Sequence, residues 1–168
     1  MSLKPWREVV KPHRDVSSGR YQRAEFAADL AQVLRGDAQP EYQDPVEFFA
    51  RTYLTRGISH LLIEGLKRLS GNDGEPVVQV KTAFGGGKTH AMLSLYHLLH
   101  APQKVAKLEH VAALLSEAGM DTPPEANVAV LVGTALAGTG TQKDPTGHGL
   151  AVRTLWGEMA AQLGGAEG

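Results

Sequence analysis

The run Val77-Val78-Gln79-Val80-Lys81-Thr82-Ala83-Phe84-Gly85-Gly86-Gly87-Lys88-Thr89-His90 holds the residues best suited to chemistry, and that chemistry is the cradling of a phosphate chain. Glycine lacks the Cβ that would keep a polyphosphate off the backbone, and it tolerates the positive φ that turns successive N–H groups to one side. A helix opening at Lys88 or Thr89 adds its unpaired N-terminal donors and the positive end of its dipole. In this pattern Gly85, Gly86, Gly87, Lys88 and Thr89 are the nucleotide-binding residues. Lys88 would reach the β and γ phosphates of ATP and is the candidate catalytic residue, while the Thr89 hydroxyl is the candidate metal ligand, for Mg²⁺.

The full pattern G-x-x-x-x-G-K-[ST] asks for glycine where this chain has Thr82, so one of its fixed positions is missing. The flanks make up for much of that. Val77, Val78 and Val80 form a short β-branched run after Pro76, and Met92, Leu93, Leu95, Tyr96, Leu98 and Leu99 follow the loop over the length of a helix. Strand, glycine loop, Lys-Thr and helix is the context such a motif needs.

The elements that must position this loop are read from periodicity and punctuation. The first twenty residues, with Pro5, Pro12 and Ser17-Ser18-Gly19, read as an extended arm. Residues 21–71 read as a helical region. Within it Phe26, Leu30, Val33 and Leu34 sit at helical spacing before Gly36. Asp44-Pro45-Val46-Glu47 is a helix start, with Asp44 as N-cap, Pro45 at the first helical position and Glu47 placed to reach back as in a capping box. Ile58, Leu61, Leu62, Leu66 and Leu69 form the stripe of a longer helix from about Thr55 to Ser70, and Gly71-Asn72-Asp73-Gly74 ends it.

Residues 72–168 are expected to form an incomplete nucleotide-binding domain. After the loop helix, Pro102 breaks the pattern, and Val105, Leu108, Val111, Ala112, Leu114 and Leu115 predict another helix stopped by Gly119. Asn127 to Val132 is an unbroken apolar run of the kind found in a strand covered on both faces. Residues 133–149 are a Gly- and Thr-rich loop, and the final helix runs from about Leu150 to Leu163, where Gly164-Gly165 closes it. The expected class is α/β: a partial parallel sheet with helices, preceded by a helical N-terminal region.

Composition narrows the remaining options. A chain of 168 residues with 42% hydrophobic content and a net charge of −1 fits a globular protein with a real core. No apolar run approaches a transmembrane helix and no signal-peptide core opens the chain, so no membrane partner is expected and the expected compartment is the cytoplasm. The absence of cysteine excludes disulfides, thiolate catalysis and Cys-based zinc sites. Residues 1–23 carry six Lys or Arg against Glu8 and Asp15, a basic arm that could touch nucleic acid or pair with the acidic residues 24–50 beside it. His97 and His100 lie one turn apart, yet no third ligand joins them, and a partly exposed helix face explains them better than a metal. Packing on the loop helix is the expected role of His90, and core burial that of Trp156.

Hydrolysis needs an acidic residue at the end of a second apolar strand and a group to orient the attacking water. The second strand here ends in Gly133-Thr134 instead, so no acidic motif is readable. Two readable strands are also few for a sheet that must bury several helices, and the chain is therefore expected to be a truncated piece.

Five segments carry a resemblance: Lys4 to Val10, Tyr21 to Leu30, Asp44 to Phe49, Phe84 to His90, and Arg153 to Glu158. They resemble the N-terminal part of large bacterial AAA-type P-loop ATPases of a domain-of-unknown-function family found beside DNA methylases, similar to the Y-type ATPase of phage growth limitation and BREX defence loci. The resemblance implies an AAA-type P-loop NTPase fold, with Gly85 to Thr89 as its phosphate loop, and an ATP-binding portion linked to phage defence or DNA modification. It also implies that later strands separate Val77–Thr82 from Asn127–Val132, leaving both without partners here and favouring oligomerisation or a protein partner. The alternative is a non-catalytic interaction module with weak or no nucleotide binding.

Overall fold

The computed structural model describes residues 4–12, 14–19, 28–83, 85, 87–133 and 154–164. Its helices, in chain order, are α1 (Trp6–Val9), α2 (Arg14–Ser17), α3 (Leu30–Arg35), α4 (Pro40–Gln43), α5 (Pro45–Arg51), α6 (Arg56–Leu69), α7 (Lys88–His100), α8 (Pro102–Val105), α9 (Glu109–Glu117) and α10 (Leu155–Gly164). Two single helical turns, α1 and α2, thus occur where an extended arm was expected.

Local chemistry explains most helix ends. Asp44 caps α5 by accepting from the N–H groups of Val46 at 2.8 Å and Glu47 at 2.9 Å, with Pro45 at the first position. The reciprocal half of the predicted capping box is not made, because α4 sits immediately upstream and the Asp44 N–H already donates to Pro40 O. Asp29 caps α3 in the same manner, and Gly36 ends it at φ +78°. Thr55 opens α6, which Gly71 and the turn after it close.

The core belongs to α5, α6, α7, α8 and α9. Phe48, Phe49, Leu62, Leu66, Leu93, Leu98, Val105 and Leu115 are all buried in one cluster that also takes in Val33 from α3. Phe48 is its hub: its ring lies 4.7 Å from His90 and 5.0 Å from His97, and meets Phe49 edge-on at 5.5 Å. Gly65 lets α6 approach α7, since a Cβ there would sit 3.3 Å from Leu95 Cδ1. Gly74 is buried directly against the α6 backbone, where an added Cβ would overlap Arg68 N and Glu64 O; a glycine is required for the chain to turn back toward residue 77.

The expected parallel sheet is not formed, and that corrects the α/β, partial P-loop NTPase reading. Among the described residues there is no strand. Residues 77–83 and 123–132 run without helix or ladder. The valine-rich composition of these segments suits a strand, but a strand exists only when a neighbour supplies its hydrogen bonds, and among the described residues neither segment has one. The backbone of Val130 is satisfied instead by a side chain. Gln162 of α10 accepts from Val130 N at 2.7 Å through Oε1 and donates to Val130 O at 3.0 Å through Nε2, reproducing one rung of a ladder. Glu158 Oε1 accepts from the same Nε2 at 2.7 Å and holds the amide in that orientation.

Candidate phosphate loop

The loop from Thr82 to Gly87 leads directly into α7. Gly85 has φ +77° and Gly87, the N-cap of α7, has φ +76°, values that a residue with a Cβ rarely adopts. Phe84 and Gly86 lie outside the described residues. No side chain caps α7, and its first internal bond is from Ala91 N to Gly87 O at 2.9 Å. The amides of Lys88, Thr89 and His90 therefore belong to the group of orphan donors at the helix start.

Lys88 is folded back on its own loop. Its Nζ donates to Thr82 O at 3.1 Å, Thr82 Oγ1 at 3.2 Å and Ala83 O at 3.1 Å. Thr82, the residue that departs from the glycine of the pattern, thus contributes two oxygens to the lysine. Sequence reasoning saw only a missing glycine there; the hydroxyl was the available signal. Lys88, Thr89, Gly85 and Gly87 are all exposed.

The His90 ring packs on the core at Phe48 and Thr52. Thr52 Oγ1 donates its single hydrogen to Phe48 O at 2.7 Å, so its contact with His90 Nε2 at 2.9 Å has the imidazole as donor. His90 is held as the Nε2–H tautomer against Phe48, consistent with packing on the loop helix. Burial lowers its pKa below the ordinary 6.5. His97 is arranged alike, with Nε2 donating to Tyr42 O at 2.8 Å, and its pKa is also lowered, chiefly by burial and further by His100, against the opposing pull of Tyr42 O and Asp44. Thr52 and Tyr42 lie 38 and 55 residues from their histidines, and no local pattern could have paired them.

His97 and His100 both lie against Tyr96, the first edge-on at 5.4 Å and the second stacked at 4.9 Å. Among the described residues no three His, Asp or Glu side chains gather to hold a metal ion. Trp156, expected in the core, is 71% exposed on α10. Arg153 and residues 134–149 of the loop expected over 133–149 lie outside the described residues.

Among the described residues, two clefts border the loop. The larger, about 770 Å³, is lined by Lys88, Thr89 and Met92 of α7, by Leu131 to Gly133, and by Ala28 to Leu30 with Gln32. Asp29 is the carboxylate in that lining, and its Oδ1 is taken by the cap of α3. The smaller, about 320 Å³, lies between the end of α5, the start of α6 and the first turn of α7, and its lining includes Thr82, Gly87 and His90. Thr89 thus opens on the larger cleft beside Lys88, while the two ends of the loop open on the smaller.

A family model described as the DUF499 N-terminal domain matches residues 1–167. The chain belongs to that family. Comparison with curated proteins gave no match, and neither did comparison with solved structures. Among the described residues no helix is long and apolar enough to cross a membrane.

Proposed function

We propose that this chain binds ATP with Mg²⁺ through the loop Gly85 to Thr89. The observation that carries the reading is an uncapped α7 that begins behind two glycines at positive φ, with the Lys88 ammonium folded onto the same loop. An anion arriving at that helix end meets unpaired amides, the positive end of the dipole and a cation. The loop oxygens that now accept from Lys88 are exposed, so exchanging them for phosphate oxygens requires no buried rearrangement.

Thr89, exposed in the first turn and bordering the same cleft as Lys88, would hold the metal through its hydroxyl. Bound Mg²⁺ would neutralise part of the phosphate charge. Binding at the loop and the start of α7 requires no sheet. A place in a phage-defence or DNA-modification ATPase, in which nucleotide turnover remodels a protein or nucleic-acid partner, rests on family resemblance alone.

Calorimetric titration with MgATP tests the reading. Wild type should bind, and Lys88→Ala should weaken binding by roughly 10- to 100-fold, the scale of a charged hydrogen-bonding group lost. Equal affinity in the two proteins, both folded by circular dichroism, removes Lys88 from the site and the reading with it.

A further inference from the structure

We infer that the 320 Å³ cavity beside the loop is a nucleobase subsite, with the ring of Tyr53 as its stacking face. The inference rests on the phosphate-loop reading and adds the part of the ligand that reading leaves unplaced.

Continuity with the loop is the first argument. Thr82 and Gly87, the two ends of the glycine segment, line this cavity, and so does Ala91 in the first turns of α7. A ligand whose phosphates sit at the start of α7 has this hollow within reach of its other end. The lining chemistry is the second argument. Ile58, Leu61, Val80 and Ala91 supply an apolar surface, and Thr55, Thr82 and His90 are the polar residues of the lining. A few polar groups on an apolar wall, in a volume near the lower end of the usual ~300–1,000 Å³ for ligand pockets, suit a base better than a polyphosphate.

Tyr53 is the third argument. It lines the cavity yet is 84% exposed, and among the described residues no aromatic ring stacks on it. Tyr96 by contrast lies against His97 and His100. An exposed tyrosine ring on the lip of an apolar hollow offers a π-face that any base can cover, and such stacking is sequence-tolerant. The larger cleft has Lys88 and Thr89 on its wall and, among the described residues, no aromatic ring, so it suits the phosphate and metal end of the same ligand.

The test compares MgATP with magnesium tripolyphosphate, which keeps the charge and lacks the base, on the full chain of wild type, Tyr53→Ala and Tyr53→Phe. Wild type should bind ATP roughly tenfold more tightly than tripolyphosphate, the scale of one stacked base. Tyr53→Ala should lose that advantage while its tripolyphosphate affinity stays unchanged, and Tyr53→Phe should retain it. If wild type binds the two ligands equally, or if Tyr53→Ala weakens both alike, the base subsite is overturned while phosphate binding at the loop stands. If wild type binds neither ligand, the phosphate-loop reading falls and takes this inference down with it.

Discussion

The helices α5 to α9 and the segments 77–83 and 123–132 are built from similarly apolar sequence and end in opposite conditions. In the helical part Phe49, Leu66, Leu93, Leu98 and Val105 are fully buried, and every helix carries its own main-chain hydrogen bonds. In the extended part Val77 is 72% exposed, and the backbone of Val130 is paired with a glutamine side chain. A helix completes its hydrogen bonds within one segment, so it needs only a surface to pack on. A strand needs a second strand, and valine content cannot supply one. The candidate phosphate loop sits at the seam, anchored on its C-terminal side by α7 and led in on its N-terminal side by the extended run.

The sharpest way to break this contrast is at the hub of the helical part. Phe48→Ala should cost about 3–5 kcal/mol, because it removes the ring that His90, His97 and Phe49 pack around and leaves a cavity. Urea denaturation followed by circular dichroism measures it; a loss under about 1 kcal/mol would mean that the cluster is not the stabilising core.

A smaller effect is expected in the extended part. Gln162→Leu keeps the bulk of the side chain but strips Val130 of both its partners and leaves Glu158 Oε1 without its donor, a loss of about 1–3 kcal/mol. Its distinctive readout is hydrogen exchange: the Val130 amide should lose protection while amides in α6 and α7 keep theirs. Unchanged protection at Val130 would show that the amide rung is not what holds this segment.

The smallest effect at neutral pH, and one confined to the helical part, is titration. His90 and His97 have folded-state pKa values below the ordinary 6.5 because burial disfavours their charged forms. The unfolded chain therefore binds more protons as pH falls through 6.5, and stability should decline from there downward and be flat above it. Melting temperatures across that window check the sign. His97→Gln should flatten part of the decline, whereas a melting temperature that rises on acidification would contradict neutral, buried histidines.

Much of the helical part was legible without coordinates because its signals are local. Asp44 before Pro45, the stripe Ile58 to Leu69 and the stop at Gly119 each state a physical requirement within a few residues. The glycines before Lys88 were legible for the same reason, and Gly85 and Gly87 do adopt positive φ. Illegible were the contacts made across the chain. Thr82 looks like a departure from a pattern until its two oxygens are seen on Lys88 Nζ. Nothing local marks Tyr53 either: α5 ends at Arg51, and the exposed ring stands on the lip of a cavity.

The positions of α5, α6, α7 and α9, the Asp44 cap and the glycine-rich turn into α7 followed from sequence alone, since backbone preference and periodicity act over a few residues. The fate of the two valine-rich segments, the Lys88 contacts, the tautomers of His90 and His97 and the two clefts beside the loop were decided by tertiary structure. Each of these depends on which distant group arrives to accept a hydrogen bond or to exclude water, and no residue carries that information by itself.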